Sequence, residues 1–255
     1  MHVKIRKEQN MYDILHHPVV SHEEWLAARK QLLAEEKEFT RLRDRLSQRR
    51  RDLPWEAVEK EYIFEGPHGR QTLAELFDGR SQLVVYHAMF DPATASPQTT
   101  WTMDAACHSC SFWADNFNGI IVHLNHRDVT LVAVSRAPYA AIAAYEQRMG
   151  WSFPWFSSGN SDFNFDYGVS FTAEEVAGGT ADYNYTIQNP HLTELPGVSV
   201  FFKDDAGQIF HTYSTYARGI DMLNVAYHYL DLVPKGRDEG DRGQYWVRRH
   251  DEYED

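Results

Sequence analysis

The sequence predicts an α/β protein, a mixed sheet with helices on both faces, preceded by a long amphipathic helix. Three observations predict it. Two apolar runs of strand length, "SQLVVYHAMF" (81–90) and "VTLVAVS" (129–135), are separated by a stretch of helical spacing, the pattern of buried parallel strands joined by a crossover. "VSVFF" and "IFHTYST" flank "KDDAG", an antiparallel hairpin with its glycine in the turn. Trp25, Leu32, Phe39 and Leu46 repeat every seventh residue, with Ala28 and Leu42 between them, one apolar stripe on a charged rod.

Taken in order, the first element is a helix over 21–51. Ser21 is its N-cap, with Glu24 three residues on to complete a capping box. The stripe must be covered, either by the rest of the chain or by a second copy in a homodimer. Pro54 ends the helix. "EYIFEGPHGRQTL" reads as a hairpin, "LAELF" as a short helix and 81–90 as the central strand. A loop of small and polar residues runs from Asp91 to Ala106. In "CHSCSFWADNFNGIIVHLN", Phe112, Trp113, Phe117, Ile120, Ile121 and Leu124 then recur at helical spacing. "PYAAIAAYEQRMG" (138–150) is a helix with Pro138 at its start and Gly150 past its end. "SDFNFDYG" (161–168) is an extended, turn-rich segment, and "GIDMLNVAYHYLDLVP" a closing helix. Three regions follow: an N-terminal helical arm over 1–54, the α/β domain over 55–236, and a charged, poorly ordered tail over 237–255.

The chain has 255 residues, 43% of them hydrophobic, which suffices for one sizeable core. Acidic residues outnumber basic ones, 37 to 25, for a formal net charge of −12. Such a surface repels phosphate backbones and anionic lipid, so neither nucleic acid nor a membrane is expected as a partner. The stretch "MHVKIRKEQNMYDILHHPVV" lacks the apolar run of a secretory signal, and no window reaches the ~20 apolar residues that span a bilayer. A cytoplasmic location is expected, where structural disulfides are kept reduced.

That makes Cys107 and Cys110, the only two cysteines, informative. They stand where a loop after a buried strand meets a helix. The unpaired N–H groups of a first helical turn stabilise a thiolate there. Residues three apart on a helix are neighbours, so Cys110 can close a ring with Cys107. The expected roles are Cys107 as exposed nucleophile and Cys110 as buried resolving thiol. His108 and Ser109, between them, tune the pair, and a cationic His108 would make it more oxidising. A zinc site would need two further ligands; His123 and His126 fall at the far end of the same predicted helix. An inert pair on a scaffold without catalysis is the remaining alternative. No metal and no cofactor are expected: a nucleotide-binding glycine pattern and a serine-hydrolase elbow are both missing, and "SDFNFDYG" lacks the glycine and glutamate of a calcium loop.

The order of elements, with C-x-x-C at the first helix N-terminus, resembles the thioredoxin fold. More specifically, "LPWEAVEKEYIFEGPHG", "LAELFDGRSQLVVYHAMF", "CHSCSFWADN", "RMGWSFPWFSS" and "FHTYSTYARGIDML" resemble domain of unknown function 899, a thioredoxin-like family of predicted dithiol-disulfide oxidoreductases. The likeness covers about residues 23–236. It implies thiol-disulfide exchange with a protein or small-molecule disulfide or thiol. Two departures stand out. Ala106 and His108 occupy positions where relatives commonly carry glycine and proline. Pro196 lies about one residue before the place of the thioredoxin cis-proline, where it would pack opposite the cysteines.

Around this pair, Trp101, Trp113, Trp151, Phe153, Trp155 and Phe156 are candidates either for an apolar groove or for ordinary core. His211, Tyr213, Tyr216 and Arg218 are candidates to face the cysteines, Arg218 as an anion contact. Two further functions remain open beside exchange. One is a thiol peroxidase, which needs threonine and arginine donors: Thr99, Thr100 and Thr102 are in the loop, whereas Arg218 would have to arrive through the fold. The other is a redox-sensing binding protein without catalysis.

Overall fold

The structure, a computed structural model, describes residues 16–254; residues 1–15, which hold most of the stretch read for a signal segment, lie outside the described residues. Two compact units are formed, residues up to Pro54 with Ala226–Asp238, and Trp55–Val225 with the residues from Glu239 on.

In the first unit, helix α1 spans His22–Arg51. Ser21 caps it and Glu24 returns a carboxylate to the Ser21 N–H at 3.0 Å, the capping box expected. Acidic residues in its first turn and three arginines in its last match the helix dipole. Trp25, Leu32, Phe39, Leu42 and Leu46 are all exposed, and α1 buries no residue along its length.

The second unit is built on an eight-stranded mixed sheet in the order β1-β10-β9-β4-β5-β6-β2-β3. The strands are β1 (Glu56–Ala57), β2 (Ile63–Gly66), β3 (Gly69–Thr72), β4 (Gln82–His87), β5 (Val129–Ser135), β6 (Trp155–Ser157), β9 (Gly197–Lys203) and β10 (Ile209–Tyr216). A separate ribbon pairs β7 (Ala181–Tyr183) with β8 (Thr186–Gln188). The β2–β3 hairpin forms as expected, with Gly69 at φ +88° in its turn, a conformation that glycine adopts at no steric cost. Strand β4 is parallel to β5, with Leu83 opposite Thr130, and antiparallel to β9, with Leu83 opposite Phe201. The β9–β10 hairpin completes this side. This is the thioredoxin-like arrangement: a central strand leading into the cysteine helix, a parallel neighbour on one side and an antiparallel hairpin on the other.

Alternation along β4 divides its side chains between the two faces. Leu83 and Val85 join Phe64, Phe77, Val132, Val134, Phe163 and Phe201 in one core cluster. His87 is on that same face, stacked on Phe163 at 5.5 Å. Tyr86 is on the other, edge-on to Phe117 at 5.2 Å.

Helices cover both faces, among them the short α2 (Leu73–Leu76) expected after the first hairpin, but three differ from expectation. The helix expected from the cysteines onward is broken into α3 (His108–Ala114) and α4 (Ile121–His126). The Asn116 side chain folds back onto the carbonyls of Phe112 and Trp113, and Asn118 is held by the 150–152 backbone. These bonds satisfy the end of α3 without another helical turn. The closing helix is likewise split, into a 3-10 segment Ala217–Leu223 and a short helix Val225–Leu230, at Asn224, which is buried and extended. The segment 161–168 contains one helical turn, Phe163–Asp166. The helix Tyr139–Met149 (α5 below) ends at Gly150, φ +65°, as expected.

The tail overturns the expectation of disorder. Val247 is fully buried and Arg249 nearly so. Trp246 lies edge-on to Phe112 at 5.4 Å, and His250 Nδ1 is 2.6 Å from Asp115. Apolar anchors among the charges, together with ion pairs from Arg148 to Asp251 and Glu252, bind it to the second unit.

Candidate functional site

Strand β4 runs out at His87, and Met89, two residues on, meets the cysteines. Its carbonyl accepts the Cys107 N–H at 3.0 Å, and its own N–H donates to the Cys110 sulfur at 3.3 Å. Cys107 is the N-cap of α3, at φ −49° and ψ 133°, and Cys110 lies one turn along. Both are free thiols. The Cys107 carbonyl is taken by the backbone N–H and hydroxyl of Ser111, each at 2.9 Å, and Ser111 is backed by the Tyr145 hydroxyl on α5 at 2.7 Å.

Cys107 is 0% exposed and Cys110 2%. The expectation of an exposed nucleophile is thus corrected. Met89, Thr100 and the buried Ala106 peptide close around Cys107, whereas an open loop would have left it at the surface.

Burial alone raises both thiol pKa values. For Cys107 the rise is outweighed by its neighbours Cys110, Thr100 and His108, which favour the thiolate and bring the pKa down to about 6. Cys110 is raised well above the ordinary thiol value, first by burial and then by Cys107 as hydrogen-bond partner and negative charge. The two sulfurs are thereby split into a ready thiolate and a reluctant thiol. Two buried hydroxyls flank them. Thr100 Oγ1 and the Tyr86 hydroxyl are buried without a hydrogen-bond partner. Thr100 faces Cys107 and Tyr86 faces Cys110.

Of the other expected site residues, His108 and Ser109 are half-buried at the start of α3. Trp101 and Trp113 are buried, their indole N–H groups donating to the carbonyls of Asp91 and Ile220. They are core, not the walls of an open groove. Phe153, Trp155 and Phe156 are buried as well. Pro196 is half-buried, its carbonyl accepting the Tyr183 hydroxyl at 2.8 Å, and the bond preceding it is trans. Arg218 does not reach the cysteines: its side chain is 86% exposed and pairs with Asp221. The arginine that arrives is Arg249, from the tail. Its Nε and Nη2 both donate to the Ala106 carbonyl, at 2.9 and 2.6 Å.

His211 lies on the other face of the sheet, in a chain of hydrogen bonds from His211 through Ser214 and Ser199 to His87, with links of 2.7, 2.9 and 2.9 Å. It also lines a cleft of about 860 Å³ with Glu56, Tyr62, Asp166 and Tyr167. Among the described residues no group of three or more histidine, cysteine or acidic side chains is arranged to hold a metal ion.

The family model for bacterial proteins of unknown function, DUF899, matches residues 14–253. The chain belongs to the DUF899 family. No curated protein sequence matches this DUF899 protein. Among solved structures, it is similar to the peroxidoxin BcpB of Mycobacterium tuberculosis, with 12% identity and a TM-score of 0.42 over 66% of this chain and 92% of that one. It is also similar to peroxiredoxin Q of Xanthomonas campestris, with 16% identity and a TM-score of 0.43 over 70% and 99%. The mitochondrial 2-cys peroxiredoxin of Plasmodium falciparum gives 12% and 0.39 over 69% and 92%. Among the described residues of this DUF899 chain, no helix is long and apolar enough to cross a membrane.

Sequence reasoning missed Met89, Tyr86 and Arg249. Strand alternation was the available signal for Tyr86, since it places residue 86 on one face with the helix that follows. Nothing local marked Arg249, one of several arginines in a charged tail.

Proposed function

We propose that this protein is a thiol redox enzyme in which Cys107 is the nucleophile and Cys110 the resolving thiol. One observation carries the reading: two free thiols stand one helical turn apart at the start of α3, both held by the backbone of Met89, Cys107 through its N–H and Cys110 through its sulfur. The Cys107 thiolate attacks a sulfur of a disulfide RS–SR′, forming a mixed disulfide with RS and expelling R′S⁻. Cys110 then loses its proton, attacks the Cys107 sulfur and expels RS⁻, leaving a Cys107–Cys110 disulfide. The substrate gains two electrons and the protein loses two, which a cellular dithiol reductant restores. No cofactor takes part. A cytoplasmic setting fits a pair that must be reduced again after each turnover.

A second reading has its own support. Cys107 is fully buried, with the unpartnered Thr100 hydroxyl beside it. A peroxide reaches such a sulfur more readily than a protein disulfide does. Cys107 would displace RO⁻ from ROOH and become a sulfenic acid. Cys110 would then displace water from it, giving the same disulfide.

The test is a redox titration of the pair in a dithiothreitol buffer, read by alkylation under denaturing quench and mass. A reversible two-electron transition is expected. Thiols that stay unpaired across the cellular range would overturn both readings. Peroxide consumption in the presence of reductant, lost in Cys107→Ser, separates the second reading from the first.

A further inference from the structure

We propose that the Tyr86 hydroxyl is the donor that stabilises the Cys110 thiolate during resolution, so that this side chain governs the second step and not the first. The inference rests on the dithiol reading and assigns a residue to it. Tyr86 is 1% exposed, on the β4 face that carries α3, with its ring edge-on to Phe117. A phenylalanine would fill the same space and make the same ring contact. The hydroxyl needs a separate reason, because a buried polar group without a hydrogen-bond partner is a standing cost. The group it faces is the Cys110 sulfur.

Beside it, the Met89 N–H donates to that sulfur at 3.3 Å. Both are neutral. They leave the resting thiol protonated and act when negative charge develops. While Cys107 is a thiolate, its charge opposes ionisation of Cys110. Once Cys107 is in a mixed disulfide, that charge has left with R′S⁻. The Cys110 proton then goes to the departing thiolate, giving RSH, as the Cys110 sulfur bonds to Cys107. Tyr86, without a partner at rest, donates a hydrogen bond to the charge that forms there and keeps its own proton. Its pKa lies well above the ordinary phenol value, through burial first and then the neighbouring sulfurs.

The contrast is Tyr183, a second buried tyrosine, which feels the charge of Cys110. Its hydroxyl is already committed, donating to the Pro196 carbonyl at 2.8 Å and accepting from the Ala217 N–H at 2.9 Å. It has nothing left to offer the sulfur.

The experiment mixes full-length reduced protein with 2-hydroxyethyl disulfide, quenches in acid at timed intervals, and separates reduced protein, mixed disulfide and internal disulfide by mass. Wild type, Tyr86→Phe and Tyr183→Phe are compared, with thermal unfolding of each. Expected for Tyr86→Phe is an unchanged rate of mixed-disulfide formation and a resolving step about tenfold slower, the loss of one hydrogen bond to a charged group, with its pH midpoint raised. Tyr183→Phe should resolve at the wild-type rate. A wild-type resolving rate in Tyr86→Phe, or equal slowing in both variants, overturns the proposal. A wild type that never forms the internal disulfide overturns the dithiol reading itself, a result distinct from either.

Discussion

Arg249 and Ala106, 143 residues apart, are joined by two hydrogen bonds from one guanidinium to one carbonyl oxygen. The oxygen belongs to the residue before the proposed nucleophile. The guanidinium is also held by Glu252, through Nη1 at 2.9 and 3.1 Å. Replacing Arg249 by methionine keeps much of the packing but strands a buried carbonyl. A loss of about 1–3 kcal/mol in stability is expected, measured by urea unfolding. Arg249→Lys should recover little of it, because an ammonium cannot present the planar fork. A methionine variant as stable as wild type would show that the tail is merely laid against the domain.

Thr100 makes a prediction about acidity. The Cys107 pKa is lowered to about 6 against the upward push of burial, and the neighbouring Thr100 hydroxyl is among the groups responsible. The rate of Cys107 modification by a small alkylating agent should therefore rise with pH through about 6 and level off well below the ordinary thiol value of 9.0. Thr100→Val keeps the shape and removes the donor. Its profile should be displaced to higher pH, whereas a profile superimposable on wild type would remove Thr100 from the site.

These two residues show how unevenly the site was legible. The β4 run, the parallel β5 and the β9–β10 hairpin could be read because valine-rich runs and a turn glycine carry their own local physics. Cys107 and Cys110 were legible for the same reason: their spacing and their place between strand and helix are local facts. Their burial was not. It follows from Met89 turning both its backbone groups toward them, which no residue type advertises. Arg218 was chosen for nearness along the predicted hairpin, yet a basic residue in an apparently solvated tail reached the cysteine loop instead. The long cysteine helix was misread because apolar spacing continued through 116–119, where asparagine side chains end the helix by satisfying the backbone.

Glu194 gives the protein a pH signature of its own. It is buried, accepting the Phe90 N–H at 2.9 Å and the Ser170 hydroxyl at 3.3 Å. Burial, followed by the nearby Asp91, raises its pKa from 4.5 to about 8. The folded protein therefore holds this proton where the unfolded chain has released it. The stabilisation is complete below pH 4.5 and is lost as pH rises through about 8. His87 works in the opposite direction. Burial lowers its pKa to about 3 from 6.5, so its contribution is complete above 6.5 and is lost as pH falls toward 3. Glu194→Gln imitates the protonated carboxyl. The stability of this variant relative to wild type should climb steadily from pH 4.5 to 8, by urea unfolding at each pH. A difference that does not vary with pH would mean that Glu194 is ionised in the folded protein.

Helix α1 makes the last prediction. Trp25, Leu32, Phe39 and Leu46 stand one heptad apart and are 39–65% exposed. A seven-residue apolar repeat suits a partner helix carrying the same repeat, because each side chain meets its counterpart at regular intervals. A second copy of α1 is such a partner, and opposite charges already alternate along the helix, as in the Arg29–Glu36 pair at 2.8 Å. The full-length protein is expected to run as a dimer in gel filtration with light scattering. Leu32→Glu together with Phe39→Glu should convert it to a monomer, since facing carboxylates would meet across the seam. The double variant should keep the dithiol chemistry, because Cys107 and Cys110 belong to the other unit. A wild type that is monomeric at every concentration would leave the stripe to a different partner and end the homodimer reading.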